Sequence, residues 1–150
     1  MRIFKAVVVA AVCFSAQARP IMTVTCTEPT GPRVDFYGGR FEEKQDGFVG
    51  VKPMFIFNDD KPKLATVIFG PTATAKELGV KDAGAFEAAV VVQNSEQISL
   101  VASTGTHIAQ MYSLFPKKGI GYFTLHKHVP FQDGVASTAT LVSKCEFVAR

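Results

Sequence analysis

Apolar and polar side chains alternate along most of this chain with a period of two. Met22, Val24 and Cys26 share one parity and Thr23, Thr25 and Thr27 the other, the pattern of a strand with one face turned to a core. Thr suits the outer side because its branched Cβ packs well on a pleated surface. Val34 and Phe36 begin a second segment, in which Gly38-Gly39 predicts a bulge or bend. Gln45-Asp46-Gly47 reads as a turn, followed by strands over Phe48 to Val51 and Met54 to Phe57, with Pro53 marking an edge or kink. After a polar turn from Asn58 to Pro62, Leu64 to Phe69 alternates until Pro71.

The second half repeats the theme. Phe86, Ala88, Val90 and Val92 predict one face of a strand, and Ile98, Leu100 and Ala102 return on a matching face after Asn94-Ser95-Glu96. Ile108, Gln110, Tyr112 and Leu114 alternate up to the Pro116-Lys117-Lys118-Gly119 turn, and Tyr122 to Val129 answers them. Val135, Ser137, Ala139, Leu141, Cys145 and Phe147 share the last inward face. Residues 72–85 stand apart: Ala73, Ala75, Lys76, Glu77 and Leu78 before Gly79 predict at most a short helix. The sum is an all-β fold, an antiparallel meander of about eight to ten strands forming a barrel or a two-sheet sandwich. Thirteen Phe and no Trp, spread through these strands, predict a Phe-filled core.

The beginning of the chain breaks the period. Arg2 and Lys5 precede an uncharged run from Ala6 to Ala16, and Ala16-Gln17-Ala18 places small side chains where a signal peptidase reads them. Residues 1–18 are therefore expected to be a signal peptide and residues 19–150 a single β domain, located in the periplasm or secreted. The leader is shorter than the roughly 20 apolar residues of a membrane-spanning helix, and no later stretch approaches that length, so no membrane span is expected. Cys13 is not expected to mark a lipid anchor, since branched Val12 stands where a small residue belongs.

Export changes how the cysteines read. Cys26 and Cys145 remain as an even pair in an oxidising compartment, and a disulfide between them is the economical reading. Two buried thiols are the alternative, and metal ligation has less support because no Cys-x-x-Cys or Cys/His cluster lies near either residue. Arg2 and Lys5 account for two units of the formal net charge of +3, and no Lys/Arg stripe accompanies the aromatics, so nucleic acid is not an expected partner.

Candidate chemistry is sparse. His126 and His128 project from one face of a strand and could begin a metal site if His107 or a carboxylate crossed from a neighbour; solvated imidazoles are the plainer reading. Ser103 near His107 is an unmarked serine, and no G-x-S-x-G, H-E-x-x-H or paired-carboxylate motif occurs. Gly119-Ile120-Gly121 enters a strand rather than a helix, which removes the helix N-terminus a phosphate needs. No cofactor is expected. Arg40, Glu42 and Lys44, running up to Asp46-Gly47, predict a charged hairpin tip suited to a partner, set against a plain solvated turn. A Phe-lined cavity for a small apolar ligand is set against a packed core.

Ala16-Gln17-Ala18, Thr23-Val24-Thr25-Cys26 and Lys144-Cys145-Glu146-Phe147 together resemble small uncharacterised Sec-exported all-β proteins of Gram-negative bacteria. The chain is also similar to periplasmic lysozyme inhibitors, which are small β-barrels with a terminal-strand cysteine. It has no clear counterpart to their inhibitory loop motif, so no inhibitor residue carries over. Without Trp, the Gly-x-Trp of lipocalins cannot occur. These readings imply a non-enzymatic envelope protein that binds a periplasmic or extracellular macromolecule through loops on a disulfide-stapled scaffold. A small-ligand or metal carrier and a hydrolase with an unrecognised site are the alternatives; the sequence leaves oligomeric state open.

Overall fold

The computed structural model describes residues 19–70, 84–104, 108–129 and 134–150. Within them the alternating segments become one antiparallel sheet. Its strands are β1 (Pro20–Cys26), β2 (Thr30–Tyr37), β3 (Arg40–Gly47), β4 (Met54–Asn58), β5 (Leu64–Phe69), β6 (Gly84–Gln93), β7 (Ile98–Thr104), β8 (Ile108–Phe115), β9 (Ile120–Val129) and β10 (Val135–Ala149). The order β1-β4-β5-β6-β7-β8-β9-β10 closes on itself through a β1–β10 pairing, so the architecture is an eight-stranded barrel rather than a sandwich. β2 and β3 are additional strands attached outside the closed circuit.

The length of β10 explains the attachment. Fifteen residues give it an edge long enough for two partners in succession, with Ala136 to Val142 pairing with β2 and Cys145 to Ala149 pairing with β1. β1 and β2 thus run nearly end to end along one side of β10, while β9 occupies the other side. The two-strand annex projects from the point where the barrel closes.

That transition depends on Gly31 and Pro32. The β2–β10 ladder passes from Arg33–Ala139 to Thr30–Val142 without pairing either residue. Proline has no N–H to donate. At Gly31 a Cβ would stand 2.2 Å from the Thr140 carbonyl oxygen, so only glycine allows the backbones to come this close.

Alternation delivers the core as the sequence pattern predicts. Val24, Phe55, Val67, Leu100, Tyr112, Leu114, Phe123 and Leu141 are fully buried inside the barrel. Phe55, Tyr112 and Phe123 meet one another with centroids 5.2 to 5.9 Å apart, within the range of favourable aromatic pairs. The Tyr112 hydroxyl donates to Gln110 Oε1, and the Gln110 amide donates in turn to Thr104 Oγ1 at 2.7 Å, so the buried phenol has a partner. Burial pushes the Tyr112 phenol above its ordinary range.

Cys26 and Cys145 are register partners in β1 and β10, and a disulfide joins them across 119 positions of sequence. Both face the interior, at the pair of strands that completes the circuit.

Several local expectations are corrected. Phe48 to Val51 is a turn, not a strand: the Val51 N–H donates to the Phe48 carbonyl at 3.0 Å. Gly38-Gly39 is the hairpin turn itself, and Asp46-Gly47 lies at the barrel end of β3 rather than at a tip. In β6 the register slips between Val90 and Val92, so Val90 faces Leu100 while Val92 faces Ser99, on opposite sides of the sheet. The helix expected near 72–85 falls outside the described residues except for Gly84 and Ala85, which open β6, and the signal peptide expected over 1–18 lies wholly outside them. Among the described residues, no helix is long and apolar enough to cross a membrane.

Candidate functional site

The annex begins with its turn. Gly38 and Gly39 have φ of 56° and 77°, left-handed values that a two-residue hairpin loop demands and that glycine adopts without strain. The turn fixes the register from Tyr37–Arg40 down to Thr30–Gly47, and so assigns every side chain of β2 and β3 to one of two faces.

One face continues the inside of the barrel and is ionic. Asp35 is 5% exposed, yet three donors surround it: Arg33 Nη2 and Lys44 Nζ each lie 2.8 Å from Oδ2, and the Ser137 hydroxyl donates to Oδ1 at 2.6 Å. Arg33 reaches Asp46 with its other terminal nitrogen at 3.0 Å. Burial alone would raise the Asp35 pKa, but the hydrogen bonds from Lys44, Ser137 and Arg33 outweigh it and hold the carboxyl well below the usual carboxylate range. The cluster spans β2, β3 and β10 and so ties the annex to the barrel.

The opposite face is apolar and open. Phe36 and Phe41 pack with centroids 5.0 Å apart, yet Phe41 keeps 77% of its surface exposed and Phe36 42%. Beside them an open groove of about 620 Å³ crosses from β2 over β10 and β9 to β8 and Ser103 of β7. Small residues opposite the histidines shape this stretch: Ala109 and Thr138 flank His126, and Ala136 stands against His128. His126 and His128 bring two imidazoles to the groove, while Lys127 between them has the inward parity of Leu125; among the described residues that line the groove there is no carboxylate.

The sequence-predicted residues therefore fall in three places. His126 and His128 lie on the outer side of β9, in the groove. Among the described residues no three His, Cys, Asp or Glu converge on a metal position, and His107 lies outside that range. Arg40, Glu42 and Lys44 share the ionic face of β3, Arg40 beside the Gly38-Gly39 turn and Lys44 farther along the strand, bonded to Asp35 and 3.6 Å from Glu42. Cys26 and Cys145 form the seam of the barrel. Ser103 donates its hydroxyl to the Ile108 carbonyl at 3.2 Å.

Sequence reasoning missed Asp35, Arg33, Phe36 and Phe41. One signal was present: aromatics on both sides of Gly-Gly, in Phe36-Tyr37-Gly38-Gly39-Arg40-Phe41, mark a two-residue hairpin with rings beside its turn. No signal in the local pattern pairs Asp35 with Ser137.

The barrel interior offers less room. A cavity of about 30 Å³ lies between Arg33, Phe48, Leu125 and Leu141, far below the several hundred Å³ of a small-molecule site. No protein-family model, curated protein sequence or solved structure matches the chain.

Proposed function

We propose that this chain is an exported, non-enzymatic envelope protein that holds a macromolecular partner, a periplasmic or extracellular protein, in the groove beside its two-strand annex. The observation that carries the reading is the Phe36–Phe41 pair, left exposed on a hairpin that a buried ionic cluster holds in place. Exposed aromatics on a fixed scaffold are what binding hot spots are made of, because little side-chain entropy is lost on docking. The two imidazoles beside the exposed rings, with no carboxylate among the described lining residues, favour a partner segment that presents an acidic or hydrogen-bonding group next to an apolar side chain.

Compartment and chemistry agree with this. A disulfide across the barrel seam belongs to an oxidising environment. The cavity of about 30 Å³ beneath the annex gives a small-ligand carrier little support, and Ser103 with its hydroxyl bonded to a backbone carbonyl gives a hydrolase little. The reading invokes no cofactor.

The test places a photo-crosslinking amino acid at position 41 of the full chain in a Gram-negative host. A discrete adduct with a protein other than a second copy of this chain is expected, lost when His126→Glu and His128→Glu place negative charge in the groove. Absence of any such adduct, or one indifferent to those substitutions, refutes the groove as the binding surface.

A further inference from the structure

β3 is the edge that the barrel leaves open. It pairs with β2 and with no other described strand, and Arg40 through Gln45 are exposed. In a two-residue hairpin the closing residues, Tyr37 and Arg40, turn their backbone groups toward each other. Even-numbered residues of β3 therefore direct N–H and C=O to β2, and Phe41, Glu43 and Gln45 direct theirs outward. Those outward groups can pair with another strand.

The side chains on the ionic face of β3 read Arg40, Glu42, Lys44, Asp46, alternating plus and minus. Such a row becomes its own complement when turned end for end. We propose that a second copy of this chain adds to the β3 edge, antiparallel and centred on Glu43, so that two barrels share one continuous sheet.

Register decides it. With Glu43 opposite its symmetry mate, Phe41 faces Gln45 of the other copy and their outward backbone groups meet. Arg40 then stands against Asp46, and Glu42 against Lys44, in four opposite-charge pairs over the two-fold axis. A slip that keeps the outward groups matched sets Lys44 against Lys44 and Glu42 against Asp46. The slip the other way sets Glu42 against Glu42 and Arg40 against Lys44. Like charges directly opposite one another are destabilising, which disfavours both slips, and registers centred on Phe41 or Gln45 oppose unlike charges in only two pairs, so the register centred on Glu43 gathers the most attraction. The same charges discourage an apolar strand from adding to the edge. The one unfavourable contact in the favoured register is Glu43 against its mate.

Residues opposite each other in a sheet share a face, so both Phe36–Phe41 pairs and both grooves open on the same side of the dimer. Bivalent capture follows, and that consequence rests on the groove reading above; the pairing of β3 does not.

Sedimentation equilibrium of the purified, disulfide-intact protein at concentrations up to about 1 mM tests the pairing. A monomer–dimer equilibrium is expected. Arg40→Glu, which replaces two attractions with two repulsions, should weaken it by about tenfold, and Glu43→Gln should tighten it by several-fold. Thermal unfolding of each variant verifies that the barrel is retained. Under mild oxidation Glu43→Cys should give a covalent dimer, since position 43 meets itself, and Gln45→Cys should not. A protein monomeric throughout this range overturns the proposal, as does a dimer unmoved by Arg40→Glu or one that crosslinks better through position 45. Loss of the crosslink at position 41 with the dimer intact would refute the groove reading alone.

Discussion

The Ser137 hydroxyl donates to Asp35 Oδ1 at 2.6 Å although the two residues are 102 positions apart. Asp35 also accepts from Arg33 and Lys44, so a single carboxylate joins both annex strands to β10. Asp35→Asn keeps the shape and removes the charge, leaving Arg33 and Lys44 without their shared counter-ion. Breaking a buried pair from one side costs about 3 to 5 kcal/mol, and here the lower end applies because Lys44 is partly exposed and Arg33 retains Asp46. Ser137→Ala should cost about 1.5 to 3 kcal/mol, the range for a hydrogen bond to a charged group. Urea unfolding measures both, and an Asp35→Asn midpoint equal to that of the parent protein rejects the tie.

The same carboxylate sets an acid limit. Its folded pKa is depressed, so the folded state binds the proton less readily than the unfolded state, where an Asp titrates near about 3.9. The stability it contributes is present above that unfolded value and is lost as pH falls toward the folded one. The gap in unfolding free energy between the parent protein and Asp35→Asn should therefore be constant from about pH 5 to 7 and close progressively below about pH 4. A gap that stays constant down to about pH 2 would contradict the pairing.

The all-β meander was legible in the sequence because alternation is a local signal repeated in strand after strand, and inward parity at Val24, Leu100, Tyr112 and Leu141 followed from it, whereas closure into a barrel rather than a sandwich rests on the long-range β1–β10 pairing that no local window holds. Cysteine counting found the Cys26–Cys145 link for a different reason: two cysteines after the leader leave one way to pair. The annex was hidden because its inner face is charged. Arg33, Asp35, Lys44 and Asp46 resemble solvent-facing residues until β10 is laid beside them, and nothing in a local window places Ser137 there. Val92 was assigned to the wrong face because one bulged residue reverses the parity of all that follow it.

The covalent link at the seam should matter most to the denatured chain. Closing so long a loop removes about 5 kcal/mol of unfolded-state entropy in the chain-entropy model. Cys145→Ala should lower the thermal midpoint under oxidising conditions and abolish the sensitivity of that midpoint to reductant. Mass analysis of the protein recovered from a Gram-negative periplasm should show a chain beginning at Arg19 and two hydrogens lighter than the dithiol. A count of two free thiols, or a midpoint unaffected by the substitution, would exclude the role.

Gly31 separates the annex from the barrel experimentally. A Cβ there meets the Thr140 carbonyl oxygen at 2.2 Å and the Leu141 Cα at 3.0 Å, both of them backbone atoms in the long strand that the barrel also needs. β10 is held on its far side by ten registered residues of β9, so the strand that yields is β2, held by fewer. Gly31→Ala should thus cost about 1 to 3 kcal/mol, as overpacking does, with the damage confined to one region. Amide hydrogens of Val34 and Phe36, which bond toward β10, should exchange faster, while those of Leu100, Tyr112 and Phe123 keep their protection. The groove should lose its partner crosslink, because Phe36 and Phe41 are presented by strands that no longer sit on β10. Uniform acceleration of exchange across the barrel would instead mean that annex and barrel unfold as one unit and that Gly31 belongs to the core of both.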